Sequence, residues 1–359
     1  MQKKRRRLSV EGFRAVWLKE LGVRDSDDKA YTVKEIRDLE VLDLGCKNAK
    51  DLSPLKGLYG LKNLYFNSTD VKDLSPIKGL YNLKEIYFNA TGVKDLSPLK
   101  SLSNLESLIF GSKWIKDISP LKNLYNLELL MFNESEVEDL SALKDLSRLK
   151  YLYFNNTLVK DVSPLKGLNH LMELQLRKTK VTDISALGSL RRLKWLDVMW
   201  TGIENLLPLK DLSCLIDLSL TATKVKDLSP LKGLSSLEKL FLSGVKIENE
   251  DLLPLSYLTN LNVLSLSRTT ISDLTAIKNL SHLKRLYLMG AKVKDLSPLE
   301  GLNNLTELDL DETEVTDLFP LKSLCHLKWL NLSHTKVSLE SIRKLKDVLP
   351  DCSIVSDYD

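Results

Sequence analysis

Cysteine and histidine are scarce in this chain, four of each in 359 residues. Cys46, Cys214, Cys325 and Cys352 stand apart, in no CxxC or other metal-binding spacing. Isolated thiols of this kind read as small apolar filler in a reducing compartment. The histidines, at 170, 282, 326 and 334, are scattered as well. Cys325 and His326 are neighbours in sequence, but adjacency along the chain is not the geometry of a nucleophile and its base. GxxxxGK[ST], GxGxxG, HExxH, GxSxG and the EF-hand loop are all missing. An enzyme is therefore not expected, and no metal or cofactor is implied.

No run approaches the roughly 18 consecutive apolar residues of a membrane span. The opening, MQKKRRRLSVEGFRAVWLKELGV, starts positive but then mixes Glu11, Arg14, Lys19 and Glu20 among its apolar residues. That mixture is unlike the apolar stretch of a secretory leader, so a cytoplasmic location is expected, with non-classical export as an effector left open. The KKRRR segment reads as a basic tail. Charge of one sign is also lacking: 52 basic residues face 48 acidic ones, a net of +4. A chain so nearly balanced exerts no global pull on nucleic acid or anionic lipid.

What the chain has in abundance is one segment. Asp51-Leu-Ser-Pro-Leu-Lys-Gly-Leu58 returns with small changes from aspartates 73, 95, 117, 139, 161 and 183, then from 227, 251, 273, 295 and 317, with Asn205 between the two runs. Every step is 22 residues except 227 to 251, which is 24. Such a period is the signature of a stacked array. The two additional residues, near Glu248-Asn249-Glu250, suggest a bulge in the outer wall.

Within a unit, Leu64 and Phe66 alternate with period two, as in a short strand that buries them. Equivalent pairs run from Leu42/Leu44 to Leu330/Leu332, and one further step reaches Cys352/Ile354, so fifteen strands are expected. Ser53 is a preferred helix cap, and Pro54 suits the first helical position, where its missing N–H costs nothing. Asp51 is placed to fold its carboxylate onto nearby backbone N–H groups. DLSPLKGL thus reads as the corner and outer wall of a coil, with a turn or two of helix or 3₁₀.

This pattern resembles the leucine-rich repeat family, most closely the 22-residue repeats of bacterial internalins; a eukaryotic phosphatase-regulatory family also uses units of this length. The resemblance spans roughly residues 39 to 355 and implies an α/β horseshoe, with short parallel strands on the concave face and short helical segments on the convex face. The family commonly places asparagine three residues after the second strand leucine. Here threonine fills that position, as at Thr69, Thr91 and Thr157, with a hydroxyl free to bond a neighbouring coil. Internalins carry a leader and further domains; neither is visible here, and the array is expected to stand alone.

The domain plan follows. Residues 1–38 form the basic tail and a helical N-terminal cap, with Val10, Phe13, Trp17 and Leu21 on one face and a capping box at Thr32–Glu35. Residues 39–336 form the array, and 337–359 a helix–strand C-terminal cap. The sequons Asn67-Ser-Thr69, Asn89-Ala-Thr91 and Asn133-Glu-Ser135 arise from the repeat itself and are read as coincidental.

Strand residues that alternate with the buried leucines face the concave side and owe nothing to the core. Apolar and aromatic groups gather there: Tyr65, Tyr87, Met131, Tyr151, Tyr153, Trp195, Phe241, Tyr287 and Trp329, with Trp200 just past its strand. Exposed aromatics in a strip are what interface hot spots are made of. Asp309 and Asp311 turn the far end acidic, a seat for a basic element. These residues point to non-catalytic binding of a protein or peptide by a monomeric chain acting as scaffold or effector. Two alternatives stand: a regulatory subunit of a phosphatase or another enzyme, and a nucleic-acid binder. The second would use the convex column Lys56, Lys78, Lys100, Lys122, Lys144, Lys166, Lys210, Lys232, Lys278 and Lys322.

Overall fold

The structure, a computed structural model, describes residues 39–45 and 49–358. The helical cap expected over 1–38 and Cys46 lie outside these residues. Fifteen strands are present, one per coil and each three residues long. The chain divides after Gln175 into two bodies. The first carries β1 (Val41–Asp43), β2 (Asn63–Tyr65), β3 (Glu85–Tyr87), β4 (Ser107–Ile109), β5 (Leu129–Met131), β6 (Tyr151–Tyr153) and β7 (Glu173–Gln175), paired parallel in chain order. The second carries β8 (Trp195–Asp197), β9 (Asp217–Ser219), β10 (Lys239–Phe241), β11 (Val263–Ser265), β12 (Arg285–Tyr287), β13 (Glu307–Asp309), β14 (Trp329–Asn331) and β15 (Ser353–Val355), paired in the same way.

The period-two alternation is what each strand obeys: the middle residue is buried and, in most strands, its neighbours are half-buried. Leu64, Phe66, Val71 and Ile77 lose all contact with solvent, and their counterparts are buried as well. From β2 to β6 the second inward position is phenylalanine. Phe66, Phe88, Phe110, Phe132 and Phe154 stack ring on ring, with centroids 5.2 to 6.0 Å apart. Each ring removed from water stabilises the fold by about 1.5–3 kcal/mol.

At the corner, the Asp51 carboxylate accepts the Ser53 N–H at 2.8 Å and the Ser53 hydroxyl at 2.6 Å. The same two bonds recur at Asp73, Asp95 and Asp117. This corrects the reading of serine as the cap. Serine opens the 3₁₀ turn Ser53–Leu55, Pro54 follows it, and the serine side chain caps nothing. A carboxylate is the stronger acceptor and lies two residues upstream, so it takes both serine protons. The threonines depart from expectation too. Thr69 donates to the Phe66 carbonyl of its own coil at 2.8 Å, not to a neighbour, and Thr157 repeats this with Phe154. The chain turns through a left-handed residue just before, Ser68 at φ 54°, which folds the buried threonine back on its own strand.

The residues added near 248 form no bulge. They lengthen the 3₁₀ segment to Asn249–Tyr257, opened by a Glu248 N–H donated to Asp251 at 2.8 Å. The histidines form a pattern after all. His170, His282 and His326 place Nδ1 at 2.8 to 3.0 Å from a carbonyl of the preceding coil, where Asn82 and Asn104 do the same with their amides. The second body ends in α1 (Leu339–Val348) and β15. Ser338 caps the helix by accepting the Ser341 N–H, and Ile342 and Leu345 face inward.

Candidate functional site

The strands hydrogen-bond laterally, coil to coil, so the sheet presents only side chains on its open face. In the first body two rows lie side by side. The first strand positions give Asn63, Glu85, Ser107, Leu129, Tyr151 and Glu173; the third give Tyr65, Tyr87, Ile109, Met131, Tyr153 and Gln175. The predicted residues Tyr65, Tyr87, Met131, Tyr151 and Tyr153 are therefore brought together, each half-buried. Tyr65 and Tyr87 hold their ring centroids 4.9 Å apart at 44°.

The tyrosine hydroxyls reach carboxylates of the next coil. Tyr65 donates to Glu85, and Tyr153 donates to Glu173 at 2.6 Å. Burial first, and then the Glu85 carboxylate, push the Tyr65 phenol up to about 12; burial and then the Glu173 carboxylate raise Tyr153. Tyr87 instead accepts the Ser107 hydroxyl at 3.2 Å. Along the strand entrances, Lys62 pairs with Glu40, Lys84 with Glu106 and Lys150 with Glu128, at 2.6 to 2.7 Å. Along the strand exits, Asn67 accepts the Asn89 N–H and Asn133 the Asn155 N–H. The side chains of two of the three sequon asparagines, Asn67 and Asn133, are thus engaged in bonds between coils.

The second body is more polar. Trp195, Phe241, Tyr287, Asp309 and Trp329 are half-buried on its strands, and Asp311 just beyond. Trp200 stands apart on the rim, 51% exposed, with the Lys178 ammonium 4.3 Å from its ring centroid. Arg177 holds the buried Asp197 carboxylate through two nitrogens, each at 2.6 Å, and Lys239 pairs with Asp217 at 3.4 Å. Burial raises Asp217 despite Lys239, and burial likewise raises Asp309. Tyr287 donates to Glu307 at 2.9 Å, repeating the pairing seen in the first body. At the acidic end His334 Nδ1 lies 2.9 Å from Asp311; that bond and the Asp357 charge raise the imidazole.

The sequence reading missed Glu85 and Glu173, and the pairing of Glu307 with a tyrosine. Their signal was present: each follows its tyrosine by 20 residues, one period less the two residues that separate first and third strand positions. It also missed the more exposed aromatics Tyr59, Tyr81, Trp114 and Tyr125 outside the strands. The Cys325 sulfur is 3.6 Å from His326 Nδ1, a nitrogen that also lies 2.8 Å from the Asn303 carbonyl. Burial pushes the Cys352 thiol up to about 11, as suits an inert filler. Among the described residues no group of three or more His, Cys, Asp or Glu could hold a metal ion, and no helix is long and apolar enough to cross a membrane.

No protein-family model and no curated protein matches the chain. Solved structures do. An internalin of Listeria monocytogenes is similar at a TM-score of 0.75 with 26% identity, over 97% of this chain and 95% of that one. A leucine-rich repeat protein of Leptospira interrogans matches at 0.77 with 22% identity, over 91% and 92%. A plant peptide hormone receptor in complex with RGF2 matches at 0.60 with 16% identity, over 85% of this chain and 61% of that one.

Proposed function

For this leucine-rich repeat protein of the internalin-like, 22-residue class, we propose non-catalytic binding of a protein or peptide on the open, concave-type face of the sheet. One observation carries the reading. The first body holds a two-row strip of half-exposed Tyr, Leu, Ile and Met side chains that no other described part of the chain covers. Solvent would favour polar residues at such positions, and aromatic side chains there supply contact area at a low entropic cost. The peptide hormone receptor named above offers a parallel, since its fold is similar. In the second body Asp309 and Asp311 would orient a basic element of the partner.

The outer wall is the competing location. Its lysines are exposed, and Tyr59, Tyr81 and Tyr125 are exposed near them, a combination suited to nucleic acid. Affinity capture with the wild type, with Tyr87→Ala/Tyr153→Ala and with Lys78→Glu/Lys100→Glu/Lys122→Glu separates the two. Loss of the captured partner on the tyrosine changes alone supports the sheet face. Loss on the lysine changes alone, with steep dependence on salt, transfers the function to the wall.

A further inference from the structure

Two carboxylates in the strip of the first body differ from those along its strand entrances. Glu40, Glu106 and Glu128 are each neutralised by a lysine of a neighbouring coil. Glu85 and Glu173 are half-buried, accept a tyrosine hydroxyl, and have no cation within 4.0 Å among the described residues. They bracket one stretch of the row, with Ser107, Leu129 and Tyr151 between them and Tyr87, Ile109, Met131 and Tyr153 alongside.

We infer that this strip seats an amphipathic helix of the partner, its apolar face on Tyr87, Ile109, Met131 and Tyr153 and a basic side chain at each end, on Glu85 and Glu173. The inference rests on the sheet-face reading and names the partner's shape and charge. The helix follows from hydrogen bonding. The strands have spent their N–H and C=O groups on each other, and the Tyr65 and Tyr153 hydroxyls are committed to glutamates. An extended segment laid on such a surface would leave its own backbone groups unpaired against ring faces, which desolvation makes unfavourable. A helix satisfies its backbone internally and asks only for apolar contact.

Spacing gives the second constraint. Glu85 and Glu173 are four strand intervals apart, about 19 Å at about 4.8 Å per interval. At about 1.5 Å per residue and 3.6 residues per turn, the helical positions that return to one face near this length are about 11 and 14 residues apart. The partner should therefore carry Lys or Arg at one of those separations, flanking an uncharged apolar stripe at i, i+3, i+4 and i+7.

The test is selection of a phage-displayed library of random 20-residue peptides on the full chain, with three baits in parallel: wild type, Glu85→Gln/Glu173→Gln and Tyr87→Ala/Tyr153→Ala. Glutamine keeps an acceptor for each tyrosine hydroxyl, and thermal unfolding followed by circular dichroism checks that each bait is folded. The expected clones have a helical apolar stripe between basic residues 11 or 14 apart. Synthesised, they should gain helicity on binding and lose affinity by about tenfold or more on the glutamine bait. Clones lost on the tyrosine bait but extended, proline-rich, or equally bound by the glutamine bait would overturn the helix while sparing the sheet-face reading. Clones bound equally by all three baits, or no enrichment above the tyrosine bait, would overturn both.

Discussion

Tyr153 and Glu173 are 20 residues apart in the chain and 2.6 Å apart in space. A third-position tyrosine on one strand meets a first-position glutamate on the next, and the same diagonal joins Tyr65 to Glu85 and Tyr287 to Glu307. Each pair spans a coil boundary and fixes the orientation of a ring on the open face. The pairing ties the surface proposed to bind a partner to the stacking that builds the fold.

The Tyr65 phenol titrates late, at about 12 against an ordinary value of 10.0. Its folded value is raised, so the stability it contributes is complete below pH 10 and is lost as pH rises from there through about 12. Ultraviolet titration of the folded protein should show a late phenolate component that Tyr65→Phe diminishes, Tyr153 and Tyr287 supplying the remainder. A component unchanged in Tyr65→Phe contradicts the Tyr65–Glu85 pairing.

His334 offers the same logic in a physiological range. Its imidazole is raised above 6.5, first by the Asp311 bond and then by the Asp357 charge. The pair therefore stabilises the end of the second body below pH 6.5, and that contribution fades as pH rises through the folded value. Proton NMR should place the His334 midpoint above 6.5, and Asp311→Asn should lower it.

The corner aspartates are caps in function. Asp117→Ala removes the acceptor of the Ser119 N–H and should cost about 1 kcal/mol in urea denaturation. Asp117→Asn should stay within about 0.5 kcal/mol, since Asn205 already performs this role for the Leu207 N–H at 2.8 Å. Equal losses from both changes would mean that charge, not acceptance, holds the corner.

The phenylalanine stack is the least forgiving element. Phe110 has neighbours at 5.4 and 6.0 Å and no exposure, so Phe110→Ala should cost about 3–5 kcal/mol in the same assay. Phe110→Leu should cost about 1.5 kcal/mol or less, because Leu220, Leu242 and Leu266 fill equivalent positions of the second body.

Nearly all of the coil was legible in the sequence because burial alone imposes it. Leu64 and Phe66 must point inward whatever the partner, so the 22-residue period places β1 to β10 and, past the two added residues, β11 to β14; at β15 the register moves by two, Leu330 pairing with Ile354 and not with Cys352. The errors came where two polar groups compete for one bond. Ser53 is a good cap until Asp51 takes its protons, and Thr69 could reach the next coil until the left-handed turn at Ser68 folds it back. Membership of the open face was readable from alternation, as Tyr87, Met131 and Tyr153 illustrate. Which carboxylates are neutralised went unread, although Lys84 and Glu106 stand one period apart, as do Lys62 and Glu40 and Lys150 and Glu128.

The central claim is that a partner occupies the open face of the first body. Its most direct test is site-specific photo-crosslinking with p-benzoylphenylalanine placed at Met131, in the middle of the strip, and at Lys122, on the outer wall. A covalent adduct with one partner from position 131, absent from 122 and suppressed by Tyr87→Ala/Tyr153→Ala, is the predicted result. An adduct from position 122 with none from 131 would contradict it.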